Sequence, residues 1–169
     1  MFKPQLPVAS AFVLGLALLT TACGSKDSAA PTSLYDRMGG KTGIESVTDQ
    51  LVANVGAEAG QASSVMVRSH KPMLDAIGSQ NGQPATDPTR LQRLRNNVVD
   101  QFTDITGGPI KYKGQSMLVA HTNMKVTNAE YNAWRALLDN SLATNKIGAT
   151  EKKEFAILVD AMRNDVVNH

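Results

Sequence analysis

The sequence has very little cysteine and few aromatic residues for a chain of 169 residues. It contains one cysteine, Cys23, so no internal disulfide can form and no thiolate cluster can hold zinc or an iron–sulfur centre. Aromatic residues make up 5% of the chain, and the formal net charge of +2 is too small to indicate a nucleic-acid partner. The length suits one globular domain.

Common catalytic motifs are absent as well. There is no second histidine at helical spacing from His121, no Gly-x-x-x-x-Gly-Lys loop and no Gly-x-Ser-x-Gly turn. Zinc hydrolysis and phosphate chemistry therefore lack support in the sequence.

The apolar run over residues 9–19 is too short to span a bilayer as a helix, which needs about 20 residues. With Lys3 before it and small residues directly before Cys23, the segment resembles a bacterial lipoprotein signal. The resemblance implies a signal peptide over residues 1–22 and lipidation of Cys23, the first mature residue. An ordinary secretory signal with an incidental cysteine is the alternative.

This interpretation predicts an exported protein of the cell envelope, lipid-anchored to a membrane through Cys23. Gly24, rather than an aspartate, follows the cysteine and favours the outer membrane if the cell is Gram-negative. Residues 23–33 are small and polar, which predicts a flexible tether, and the folded domain is expected over residues 34–169.

Apolar residues recur at helical intervals in several segments, and no segment alternates as a strand would. Capping boxes are predicted at 42–45, 89–92 and 127–130, each a threonine followed three residues later by Glu or Gln. We expect the first of these helices to close before Gly56, a short helix to open at Pro72, and one last helix to carry Phe155 to Val166. The prediction is an all-α domain of five or more helices.

A single histidine follows a glycine break at Gly107 and a short loop. Met117, His121 and Met124 are separated by four and three residues, so they share one helical face. An imidazole in such apolar surroundings is either an iron ligand or a hydrogen-bonded core residue, and spacing alone leaves both open.

A succession of motifs from residue 34 to 167 resembles the truncated haemoglobins, most closely their first group. The motifs are Leu34-Tyr35-x-Arg37-x-Gly39-Gly40, Phe102 followed by Thr106-Gly107-Gly108-Pro109, Tyr112-x-Gly114-x-x-Met117, and Ala120-His121. The resemblance implies a two-on-two helical sandwich around haem b, with His121 as the proximal iron ligand. The residues expected around the cofactor are Val52, Leu94, Val98, Phe102, Tyr112, Met117, His121 and Met124.

The expected distal side departs from the family pattern. Where the family has a tyrosine that holds bound oxygen, this sequence has Val52, and Leu94 and Val98 fall at two further positions that often carry polar groups. We therefore expect an apolar distal pocket that releases oxygen quickly. His70, in a connection longer than usual, is either a sixth iron ligand or a solvated loop residue before Pro72.

The resemblance implies a protein that binds oxygen or another diatomic gas, nitric oxide included. Enzymatic alternatives are nitric oxide dioxygenase or peroxidase-like activity, which would need an electron donor to re-reduce the iron. A haem-free globin fold serving as a cell-envelope interaction domain is the third alternative, and the presence of His121 speaks against it. The sequence leaves the oligomeric state open.

Overall fold

The computed structural model describes residues 32–78 and 84–169. These residues form eight helices: α1 (Leu34–Arg37), α2 (Gly40–Ala59), α3 (Val67–Ile77), α4 (Arg90–Ile105), α5 (Met117–His121), α6 (Asn128–Thr144), α7 (Ala149–Asp160) and α8 (Arg163–Val166). In these ranges there is no strand beyond an isolated bridge between Val126 and Val167. The prediction of an all-α fold is confirmed. None of the described helices is both long and apolar enough to cross a membrane.

Two glycines set the start of α2. Gly39 adopts φ 93°, a left-handed conformation that favours glycine, and ends α1. One turn later, a Cβ on Gly43 would lie 1.8 Å from the Met38 carbonyl oxygen. The chain therefore turns tightly and α2 begins at Gly40, so the predicted capping box at Thr42 is wrong: that threonine lies inside the helix.

The central helix α2 packs against both α4 and α6. Its buried stripe begins at Ile44, which has no exposed surface, and ends at Ala59, which is 3% exposed. The prediction that this helix closes before Gly56 is wrong, because Ala59 extends the buried stripe by one more turn.

Helix α3 begins five residues earlier than predicted. It runs from Val67, and Pro72 lies in its interior rather than at its start. The residue before it, Met66, is completely buried and anchors the chain at the point where the helix begins. Composition and turn signals around Pro72 could not show this, because the anchoring contact is tertiary.

Helix α4 begins at Arg90 as predicted, but Thr89 makes no side-chain capping bond to its backbone. The Thr89 hydroxyl instead donates to Asp87 at 3.2 Å and accepts from Arg93 at 2.6 Å. After α4, Gly108 is held close to the helix: a Cβ there would lie 2.6 Å from Thr103 Cγ2. The glycine break thus allows the chain to fold back tightly onto α4.

Helix α6 opens with the predicted Thr127–Glu130 capping box, which is confirmed in both directions. The last predicted helix is two helices in the structure, because helical geometry is interrupted between Asp160, where α7 ends, and Arg163, where α8 begins. Helix α7 joins the core through Phe155, whose ring lies 4.9 Å from that of Phe102 on α4, at 89° to it. This edge-to-face contact connects the core to Phe102, which also lines a cleft of the domain.

Candidate functional site

A cleft of about 970 Å³ lies in the helical domain. Its volume is at the upper end of the range for small-molecule and cofactor sites, roughly 300–1,000 Å³. All eight residues expected around a cofactor line it: Val52, Leu94, Val98, Phe102, Tyr112, Met117, His121 and Met124. The fold therefore brings together side chains that are up to 72 positions apart in the chain, from Val52 to Met124.

Much of the cleft surface is hydrocarbon that the protein leaves partly uncovered. Leu94 keeps 40% of its surface exposed although it belongs to the apolar stripe of α4. Met117 and Trp134 are also only half-buried. Partly exposed apolar side chains around one concave space are the arrangement expected for a hydrophobic ligand.

His121 is the last residue of α5 and is half-buried in the cleft wall. Its Nδ1 lies 2.8 Å from the carbonyl oxygen of Met117. Because a carbonyl can only accept, Nδ1 carries the proton in this hydrogen bond and Nε2 keeps its lone pair. Metal-binding histidines usually have their other ring nitrogen oriented in this way, by a backbone carbonyl, a carboxylate or water.

Helix α5 ends at His121, so Met124 is not on the same helix as predicted. Asn123 and Lys125 have φ angles of 68° and 50°, which turn the chain away from helical geometry. Met124 nevertheless lines the cleft. The helical-face argument for Met124 is therefore wrong, although its expected place in the cleft wall agrees with the structure.

His70 lies inside α3 and lines the same cleft. Its Nδ1 is 3.1 Å from the Met66 carbonyl oxygen and 3.1 Å from Ser69 Oγ. Burial lowers the pKa of His70, outweighing the hydrogen bond to Met66 and the negative charge of Glu130, which both raise it. The interpretation of His70 as a solvated loop residue is wrong, because the residue is helical and half-buried.

Arg68 and Glu130 connect α3 to the turn that follows His121. The Arg68 guanidinium donates to the carbonyl oxygens of Met124 at 2.9 Å and Lys125 at 2.8 Å, and to Glu130 Oε2 at 2.5 Å. Glu130 is 4% exposed, and its Oε2 also accepts from the Thr127 backbone N–H at 2.7 Å. Burial raises the pKa of Glu130, but the bonds from Thr127 and Arg68 together lower it below its usual value.

Tyr112 reaches the cleft from the loop between α4 and α5. Its backbone N–H donates to Asp104 Oδ2 at 3.0 Å, and its hydroxyl donates to the Gln115 carbonyl at 2.9 Å. Burial raises the pKa of the Tyr112 hydroxyl. These bonds hold the loop in place and leave the ring as part of the wall.

The sequence reasoning missed several residues of the cleft. Besides Arg68 and Glu130 they include Asn97, Gln101, Met73, Trp134 and Met162. Asn97 and Gln101 lie three residues from Leu94 and Val98 on α4, so helical spacing alone could have indicated them. Met73 and Met162 come from segments whose packing only the tertiary structure shows.

Cys23, the predicted lipidation site, lies outside the described residues. Within the described ranges, no group of three or more His, Cys, Asp or Glu side chains is arranged to hold a bare metal ion.

A profile of the family described as bacterial-like globin matches residues 63–168, more than half of the chain. The chain belongs to the bacterial-like globin family. Among curated relatives of this bacterial-like globin are the group 1 truncated hemoglobins GlbN of Nostoc sp. (strain MUN 8820) and Nostoc commune. Each is 23% identical to it over 137 residues, which cover 81% of this chain and 98% of the relative.

The fold of this globin is similar to that of the truncated hemoglobin from Tetrahymena pyriformis in its Fe(III) form. The TM-score is 0.63 at 20% sequence identity, and the match covers 82% of this chain and 100% of that one. Membership of a globin family implies haem binding, and the residues fit that group. The cleft is apolar, and the imidazole of His121 is oriented by a carbonyl in the manner of a metal ligand.

Proposed function

We propose that this globin binds haem b in the cleft, where His121 would hold the iron, and that it takes up oxygen or another diatomic gas. The observation that carries the proposal is the Nδ1 bond from His121 to the Met117 carbonyl at 2.8 Å, inside the apolar cleft. It selects the tautomer whose Nε2 lone pair is free to bind iron. Haem, when bound, supplies an iron centre that coordinates small gases and changes oxidation state.

The chain's own residues would hold the porphyrin mainly by excluding water. Leu94, Val98 and Phe102 follow one another at intervals of four residues on α4 and form one apolar wall. Met117 and Met124 contribute flexible, polarisable side chains from the segment that carries His121. Burying these partly exposed surfaces against a flat hydrophobic ring favours binding at roughly 25 cal/mol per Å² of apolar area.

The wall expected to face the gas is aliphatic at Val52, Leu94 and Val98. None of these three side chains can donate a hydrogen bond, and of the two amides that α4 adds to the cleft, that of Gln101 already donates within the protein and Asn97 is exposed. A single neutral hydrogen bond contributes about 0.5–1.5 kcal/mol, and more to a charged or polarised acceptor. We therefore infer that the protein retains oxygen weakly and that its iron oxidises readily.

Reconstitution with haemin tests the proposal. The purified domain is expected to give an intense Soret band, and His121→Ala is expected to abolish it or shift it strongly. His169→Ala is the matched control, because His169 is an exposed histidine whose ring nitrogen bonds only the nearby Asn164 carbonyl. A wild-type protein that shows no Soret band, or an unchanged band in His121→Ala, would overturn the assignment.

We further propose that the protein is exported and lipid-anchored through Cys23 in the cell envelope. Support comes from the apolar run over residues 9–19 and the small residues before the cysteine. Mass spectrometry of the N-terminal peptide is expected to show acyl chains on Cys23, and Cys23→Ser is expected to release the protein from the membrane fraction. An unmodified cysteine in the mature protein would exclude the anchor.

A further inference from the structure

The cleft contains two imidazoles that are oriented in the same way. His121 Nδ1 is 2.8 Å from the carbonyl of Met117, and His70 Nδ1 is 3.1 Å from the carbonyl of Met66. In both cases the acceptor is the carbonyl four residues earlier. A carbonyl requires a protonated Nδ1, so both bonds favour the tautomer with a free Nε2 lone pair. The Ser69 hydroxyl, also 3.1 Å from His70 Nδ1, fits this tautomer because it donates to the same Met66 carbonyl and can accept from Nδ1.

The two histidines belong to different walls of the cleft. His70 is on α3, which packs against α2 and α4, whereas His121 is on α5, which packs against α8. Arg68, two residues before His70, bonds to the carbonyls of Met124 and Lys125, just after His121. These bonds hold the start of α3 against the turn that follows α5. They therefore fix the segment that carries His70 relative to the segment that carries His121.

We propose that His70 is a second protein ligand of the haem iron, beside His121, when no gas is present, with its Nε2 donating the lone pair. This inference rests on the proposed haem site and His121. No electron or added proton is needed, because the tautomer is already the one that coordinates. A gas ligand must then displace His70, so the affinity of the site depends on the competition between them.

Other side chains of the same wall are poorer candidates. Arg68 and Arg90 carry guanidinium groups, which stay protonated and do not coordinate iron. Asn97 and Gln101 present amides, which are weak ligands, and Gln101 donates to Met162 Sδ at 3.5 Å. Met73 is the alternative on α3 itself, because it lies three residues after His70, lines the cleft and carries a thioether, a group that serves as a haem ligand.

The competition has a measurable size. The apparent gas affinity equals the intrinsic affinity multiplied by the fraction of molecules whose iron is free. If His70 occupies the iron in about nine molecules of ten, the apparent affinity is therefore about tenfold lower. After reduction of the reconstituted protein with dithionite, removing the His70 imidazole should therefore raise the apparent affinity for carbon monoxide by about that factor and make its rebinding after flash photolysis single-phased.

The test uses wild type, His70→Ala, Met73→Leu and the control His169→Ala, each reconstituted with haemin. Wild type, Met73→Leu and His169→Ala are expected to give low-spin optical and electron paramagnetic resonance spectra. His70→Ala is expected to keep the haem but become high-spin, and added imidazole should restore the low-spin form. Circular dichroism checks that each variant keeps its helices.

Three results would overturn the proposal. A high-spin wild type, or a low-spin His70→Ala, shows that His70 is not the ligand, and a high-spin Met73→Leu assigns the role to the thioether. All three occur with haem bound and the Soret band still dependent on His121, so they leave the proposed function standing. Failure of wild type to bind haemin at all would instead refute the proposed function and this inference with it.

Discussion

Glu130 fixes the turn between the His121 segment and α6, and its replacement gives a prediction with a calculable size. Oε2 accepts three hydrogen bonds: from the Thr127 backbone N–H at 2.7 Å, the Thr127 hydroxyl at 2.8 Å and Arg68 at 2.5 Å. Glu130→Gln keeps the shape and one acceptor oxygen but removes the negative charge. The perturbation therefore isolates the charge from the packing.

The magnitude follows from these bonds. Hydrogen bonds to a charged group contribute about 1.5–3 kcal/mol and neutral ones about 0.5–1.5 kcal/mol. Replacing the carboxylate with a neutral amide should therefore weaken each of the three bonds by roughly 1 kcal/mol. Arg68 is 53% exposed, so solvent screening reduces its share. We expect Glu130→Gln to lower the free energy of unfolding by about 2–3 kcal/mol. Glu130→Ala also removes the cap and should cost about 2–4 kcal/mol.

The effect should depend on pH. The pKa of Glu130 is lowered in the folded protein, so its carboxylate contributes full stability above the ordinary glutamate pKa of about 4.3. That contribution is lost as the pH falls through the lower folded pKa. The gap between wild type and Glu130→Gln should therefore be largest near pH 7 and shrink below about pH 4.

Urea unfolding followed by circular dichroism at several pH values measures both quantities. Glu154→Gln is the control, because it removes a similar charge from an exposed ion pair with Arg37, where the expected effect is about 0–1 kcal/mol. Equal stability of wild type and Glu130→Gln at pH 7 would refute the reasoning. So would a difference that stays constant from pH 7 to pH 3.

Two further predictions concern the cleft and its support. Val52→Tyr places a hydroxyl on the expected distal wall and should slow oxygen release about tenfold or more by stopped flow, since about 1.4 kcal/mol corresponds to tenfold. Val52→Phe, which adds the ring alone, should not; equal rates in the two variants would contradict the expected place of Val52 on the distal wall. Phe155→Ala removes a fully buried ring against Phe102 and should cost about 3–5 kcal/mol in urea unfolding, with weaker haem retention, whereas Phe155→Leu should cost clearly less. A loss below about 1 kcal/mol in Phe155→Ala would mean that the two rings do not support each other.

The helix cap formed by Thr127 and Glu130 is connected to the cleft through Arg68. Thr127 and Glu130 start α6, and the same carboxylate receives Arg68 from α3. Arg68 in turn bonds to the carbonyl of Met124, which lines the cleft three residues after His121. Loss of the Glu130 charge should therefore weaken the connection between the two walls, beyond its effect on helix capping.

Local sequence signals determined the helical class and several features of the chain. The Thr127–Glu130 box predicts the start of α6 correctly, because both of its bonds form within four consecutive residues. The apolar stripe of α4 places Leu94, Val98 and Phe102 on one face, and the glycine break at Gly107 ends that helix where expected. Such features depend on spacing and backbone conformation alone.

Tertiary structure decided what depends on distant parts of the chain. Thr42 and Thr89 both have the spacing of capping residues. Thr42 lies inside α2, because Gly43 approaches Met38 closely and the helix begins before the threonine. The Thr89 hydroxyl bonds to Asp87 instead of capping α4. His70 resembles a loop residue in sequence and lies in a helix because Met66, just ahead of it, is buried. The sequence by itself determined that this is a helical chain with a histidine in an apolar segment. Only the packing of α3 and α5 around one cleft brought a second histidine into its lining, because that arrangement depends on contacts between residues some fifty positions apart.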